Sequence, residues 1–207
     1  MEKWDWKREF KQFYAPKTGV VVEVDVPSMG FVMIDGTGDP NTSEAFTSAV
    51  GALYTLSYTI KFDLKKAGVG PEYSVMPLEG LWSAPDMDAA FSAEDPDRES
   101  WEWTVMIAQP AHVTAEHIEA ARAAAIAKKK LSEDVAVRFE AYAEGSSVQI
   151  MHLGPFATEG PDIVALHERI GEMCAHPSGR HHEVYLSDPS RTAPEKLRTV
   201  IRQPFAR

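Results

Sequence analysis

The stretch HHEVYLSDPSRT (181–192) sets two histidines, an acid and a tyrosine within five residues. Imidazole, carboxylate and phenol are side chains that hold metals, move protons and hydrogen-bond to developing charge. In a strand, alternate residues share a face. His181, Glu183 and Tyr185 then point one way, and His182, Val184 and Leu186 the other. Three chemistries fit: a metal site, an acid with a hydrogen-bond partner, or a polar sheet edge. His181-x-Glu183 supplies part of a two-histidine, one-carboxylate set. His117, His152 and His167 have no spacing that fixes a third ligand, so neither a metal nor an organic cofactor is expected.

Glu183 and Tyr185 stand about 6.5–7 Å apart along a strand, within reach of one ligand. A carboxylate among aromatics binds a cation or acts as a general base toward water. A second acid, Glu79, lies beside Trp82 in EGLW (79–82), and Trp101 and Trp103 share one face of WEWTVMIAQP (101–110). Such rings fill cores, or stack on flat and cationic ligands. Tyr54 and Tyr58 lie four apart on one helical face, with the same two readings. There is no Gly-x-Ser-x-Gly elbow, and GTGDPN (36–41) lacks the third glycine or the lysine of a phosphate loop. Cys174 falls in an apolar helical stripe and reads as core.

The elements that must position these residues follow from periodicity. Residues 1–16 read as an N-terminal arm. GVVVE (19–23) and FVMID (31–35) read as strands around the turn PSMG. Apolar positions 46, 49, 50, 53, 56 and 60 predict a helix over about 42–66, with Asn41 and Glu44 as a capping box and Gly68 as its stop. EYSVMPLEGLW (72–82) is strand-like and broken by Pro77. Residues 83–100 form an acidic loop. A strand over 101–110 and a helix over about 115–130, capped by Thr114, come next. The order then recurs: strands at 137–145 and 148–156, a helix from Pro161, and strands at 181–186 and 197–205. VMIAQP (105–110) echoes TVIRQP (199–204), setting Ile107 opposite Ile201, and EGLW echoes EVYL, setting Glu79 opposite Glu183. The reading is therefore an α+β fold made by tandem, pseudo-twofold duplication of a strand–strand–helix–strand–strand unit, with a cleft between the copies. The whole chain, 1–207, is one domain: module 1 over about 18–112, a linking helix, and module 2 over about 135–205.

The 207 residues are 44% hydrophobic and carry a net charge of -10. That balance disfavours nucleic acid as a partner and favours neutral or cationic organic molecules. Lys128, Lys129 and Lys130 read as cations at a helix end. No run approaches the roughly 18 apolar residues of a membrane span. The charged start MEKWDWKREF and the single cysteine fit a cytoplasmic protein, monomer or homodimer.

VMPLEGLW (75–82), WEWTVMIAQP (101–110), VQIMHLGPF (148–156) and HHEVYLSDPSRTAPEKLRTVIRQP (181–204) together resemble the GyrI-like (gyrase-inhibitor-like) small-molecule-binding superfamily, in its stand-alone branch. The resemblance spans about residues 18–205. It implies two β-α-β-β modules around a central cleft that takes hydrophobic or cationic aromatic molecules. Some members of the branch resemble hydrolases of cyclopropane-bearing alkylating antibiotics. By motif, the catalytic glutamate and tyrosine fall on Glu183 and Tyr185: the first deprotonates water, and the second hydrogen-bonds the substrate carbonyl. Trp82 and Trp103 become aromatic walls, with Glu79, Tyr54, Tyr58 and Met151 as further ligand contacts. Ser83 stands where the branch has a second tryptophan. The competing expectation is a protein that sequesters such drugs without chemistry.

Overall fold

A computed structural model describes residues 3–85 and 97–207; most of the acidic 83–100 loop lies outside the described residues. The chain runs β1 (Lys3–Trp4), α1 (Trp6–Glu9), α2 (Lys11–Tyr14), β2 (Val22–Val26), β3 (Met29–Thr37), α3 (Glu44–Ala67), β4 (Glu72–Tyr73) and β5 (Leu78–Ser83). It continues β6 (Glu102–Gln109), α4 (Ala115–Ala127), β7 (Arg138–Tyr142), β8 (Gly145–Leu153), α5 (Gly160–Glu172), β9 (His176–Pro177), β10 (His181–Tyr185) and β11 (Arg198–Ala206).

Among the described residues the main sheet has the order β2-β8-β11-β10-β5-β6-β3-β7, with β9 paired to the end of β11. Its ladders are antiparallel. The order is symmetric about the β10–β5 seam, as a tandem duplication requires. One feature departs from two self-contained modules: β2 precedes β3 in the chain but pairs with β8, and β7 precedes β8 but pairs with β3. Each half therefore lends its first strand to the other.

The helices form where the apolar spacing predicts. α3 is capped by Ser43, whose hydroxyl accepts from the Phe46 amide, and it ends at Gly68 in the left-handed region. Asn41 instead donates to Asp39 inside the preceding loop, so the cap lies two residues later than the sequence suggests. α3 packs on β3 and β6, and α5 on β8 and β11. Ile163, Leu166 and Ile170 of α5 meet Val148, Ile150 and Ile201. These three strand residues share a face with Glu183, because Glu183 pairs with Ile201 and Ile201 with Ile150. Glu183 thus belongs to the helix-covered face.

The opposite face is closed by the arm. Phe13 and Tyr14 are buried there, and the Phe13 carbonyl accepts from Arg202 at 2.8 Å. Cys174 is a correction to the sequence reading: it lies just past α5, exposed, with φ at 54°. No helix among the described residues is long and apolar enough to cross a membrane.

Candidate active site

β5 and β10 meet at the seam with Trp82 opposite His181, Gly80 opposite Glu183 and Leu78 opposite Tyr185. All six face the helices. Between α3 and α5 this leaves a cavity of about 1530 Å³, above the roughly 300–1,000 Å³ of most small-molecule pockets. Trp82, Trp101, Phe46 and Phe156 form aromatic walls, and Tyr54 and Tyr58 of α3 also reach it. Phe46 stacks on Trp82 at 5.9 Å, and Trp101 meets Trp82 edge-on at 5.7 Å.

Glu183 lies at the floor, 9% exposed. His181 Nε2 is 3.2 Å from its Oε1, and the Tyr185 phenol lies beside the same carboxyl. Imidazole and phenol can both donate to a carboxylate, which only accepts. Trp82 Nε1 in turn donates to Tyr185 Oη at 3.1 Å. Burial, then the charge of Glu183, holds the Tyr185 phenol well above its ordinary pKa. Tyr185 is therefore a neutral phenol in the cleft, beside Glu183. Gly80 makes the arrangement possible: a Cβ there would stand 2.9 Å from Trp82 Nε1 and 3.1 Å from Tyr185 Oη.

A residue missed in the sequence completes the site. Glu159 precedes α5, is 4% exposed and lines the same cavity. It makes no cap hydrogen bond, unlike Ser43 at the corresponding start of α3. The Thr199 hydroxyl lies beside its carboxyl, and Oε1 is buried without a partner. Burial, then the nearby charge of Glu183, pushes its pKa up to about 10. The turn that carries it is pinned by His152, which contacts Asp162 at 2.7 Å and Thr158 at 3.2 Å. In sequence, Glu159 looks like an ordinary acid at a helix start. Only its failure to cap marks it.

Three expected contacts lie elsewhere. Trp103 is buried over Gly36, where a Cβ would fall 2.1 Å from its ring. Met151 is fully buried on the arm-covered face, since it pairs with Val200 and Val200 with Val184. Glu79 faces the arm as well. The echo of Glu79 with Glu183 fails on register: with Ile107 matched to Ile201, the residue paired to Ile107 is Leu78, and the residue paired to Ile201 is Glu183. Leu78 is thus the counterpart of Glu183.

Glu79 belongs to a buried chain of charges. Tyr14 Oη donates to Glu79 Oε1 at 2.8 Å, and Glu79 Oε2 is 3.0 Å from His182 Nε2. His182 Nδ1 is 2.9 Å from Glu144, which pairs with Arg202 at 2.7 Å. Burial lowers the His182 pKa, but Glu144 and Glu79 outweigh it and raise it to about 8. Burial likewise opposes the charge on Glu144, yet His182 and Arg202 lower its pKa to about 2. The two histidines thus divide: His181 serves the cleft, and His182 ties the sheet to the arm. Among the described residues no three His, Cys, Asp or Glu side chains gather as a metal site.

No protein-family model matches the sequence, and no curated protein matches it significantly. Solved structures do. An uncharacterized conserved protein from Listeria innocua is 35% identical, with 99% of this chain and 100% of that chain covered and a TM-score of 0.87. A hydrolase from Listeria innocua is 36% identical over the same shares, with a TM-score of 0.82. The EcmrR subunit of a DNA complex is 11% identical, with 97% of this chain and 62% of that chain covered and a TM-score of 0.50, a likeness of fold alone.

Proposed function

Since the chain belongs to the family of these Listeria innocua proteins, we propose that it is a small-molecule hydrolase of the GyrI-like type, acting on flat, electrophilic, cyclopropane-bearing aromatic compounds. The observation that carries this reading is a carboxyl group, Glu183, flanked by His181 and Tyr185 at the floor of an aromatic cavity. The tryptophans stack on the substrate and exclude water from the rest of the cleft. Glu183 takes a proton from one water, whose oxygen bonds to the strained ring carbon. The ring C–C bond breaks, and its electron pair moves through the aromatising ring to the carbonyl oxygen. No protein nucleophile is consumed. The hydrolase from Listeria innocua, similar along its full length, supports the class of reaction.

The test is incubation with a spirocyclopropane-dienone, following the mass of one added water. Glu183→Gln is expected to lower the rate by about 10²–10⁴-fold, the range of a lost general base. Turnover undiminished in the variant would remove Glu183 from the chemistry. Stoichiometric binding by wild type without product would establish the alternative, a protein that sequesters hydrophobic or cationic aromatic drugs with Glu183 as counter-charge.

A further inference from the structure

Glu159 and Glu183 line one cavity from two sides, yet their surroundings differ. Glu183 has two donor groups beside it, His181 at 3.2 Å and the Tyr185 phenol. Glu159 has only the Thr199 hydroxyl, and its Oε1 is buried without a partner. The charged groups acting on Glu159 are both acids: Glu183 from β10 and Asp162 from α5. Tyr185 of β10 is neutral, and Arg198 of β11 lines the cavity but is exposed. Of two neighbouring carboxyls with such unequal support, the one with a bare buried oxygen is the one that keeps its proton. The α5 N-terminus favours an anion, but leaving a buried carboxylate so poorly supported costs more than the dipole returns.

We infer that Glu159 stands as a neutral carboxylic acid and is the proton donor of the cleft, so that its ligands are aromatic ketones or dienones that place the carbonyl oxygen on Glu159 and their electron-poor carbon toward Glu183. The inference rests on the cleft reading proposed above and names its substrate class. It also closes the reaction. As the ring opens, the carbonyl oxygen takes the Glu159 proton, Glu183 holds the proton taken from water, and that proton then returns to Glu159. One water is added, and both carboxyls regain their starting states.

Two measurements test it. The infrared spectrum of the protein alone at pH 7 is expected to show a protonated carboxyl band that Glu159→Gln removes. A spectrum in which that band is absent, or survives the substitution, overturns the neutral acid. The second compares 9-fluorenone with fluorene, flat molecules that differ by one carbonyl. Wild type is expected to prefer the ketone by about three- to tenfold, the worth of one neutral hydrogen bond. Its carbonyl stretch should fall on binding, and Glu159→Met should abolish both effects. Equal affinity for the two compounds, or a preference kept in Glu159→Met, sinks the carbonyl assignment. If neither compound binds, the aromatic-cleft reading fails, and the carboxyl band alone judges Glu159.

Discussion

Replacing Glu159 by glutamine keeps the shape of a neutral carboxyl and removes its capacity to ionise. The unfolded chain releases this proton at the ordinary pKa of 4.5, whereas the native protein keeps it to about 10. A group that binds its proton more tightly in the native state loses stability as pH rises past its unfolded value. Each pH unit costs about 1.4 kcal/mol, so by pH 7 native Glu159 opposes folding by about 3 kcal/mol. The helix N-terminus acts on the charged form, so it does not alter this figure while the native group stays protonated at pH 7. Glu159→Gln is therefore expected to be more stable than wild type at pH 7 by about 3 kcal/mol, and equal to it near pH 4. For a chain of this size that is a rise in Tm of roughly 6–12 °C. Urea unfolding followed by tryptophan fluorescence, at half-unit steps from pH 4 to 8, gives the difference directly. A variant that is equally stable at pH 7, or whose advantage does not shrink toward pH 4, refutes the reasoning. Stabilisation together with lost turnover would mark Glu159 as a residue kept for function.

Two more outcomes follow from the arrangement of buried groups. The His182 contribution is complete below its ordinary pKa of 6.5 and is lost as pH rises through about 8, a fall of about 2 kcal/mol that should remain in Glu159→Gln and vanish in His182→Gln. Arg202→Met removes one of the two cations that hold buried Glu144 and the donor to the Phe13 carbonyl, so denaturant melts should show a loss of about 3–5 kcal/mol, with the arm becoming protease-sensitive. At the cleft, Gly80→Ala pushes on the Trp82–Tyr185 contact. Activity should fall more than stability, and equal losses in rate assay and melt would count against a positioning role.

Much of this molecule is legible in its residues. The period of 3.6 over 46–60 places α3, and strict alternation places His181, Glu183 and Tyr185 on one face. The repeated element order gives the duplication. What periodicity cannot reveal is pairing between distant strands. Exchange of β2 and β7 leaves each strand's pattern unchanged. A one-residue offset was enough to misplace Glu79, because a slip of one moves a side chain through the sheet. Glu159 was hidden for another reason. Its effect arises from burial beside Glu183, 24 positions later in the chain, and nothing local records that.

The exchanged strands also bear on what a single module could have done. Two identical modules clasped by their first strands would form a homodimer with true twofold symmetry, and no half would be stable alone. In such a dimer the residues at Leu78 and Glu183 must be the same, as must those at Gly80 and Tyr185. Two glutamates diagonally across the seam would repel, and two leucines there would do no chemistry. Covalent fusion removes that constraint. In this chain the first half supplies Phe46, Tyr54, Tyr58, Trp82 and Trp101 to the cavity and the second supplies Glu159 and Glu183. Unequal surroundings for two acids in one cleft are open to a fused chain and closed to a dimer of identical modules.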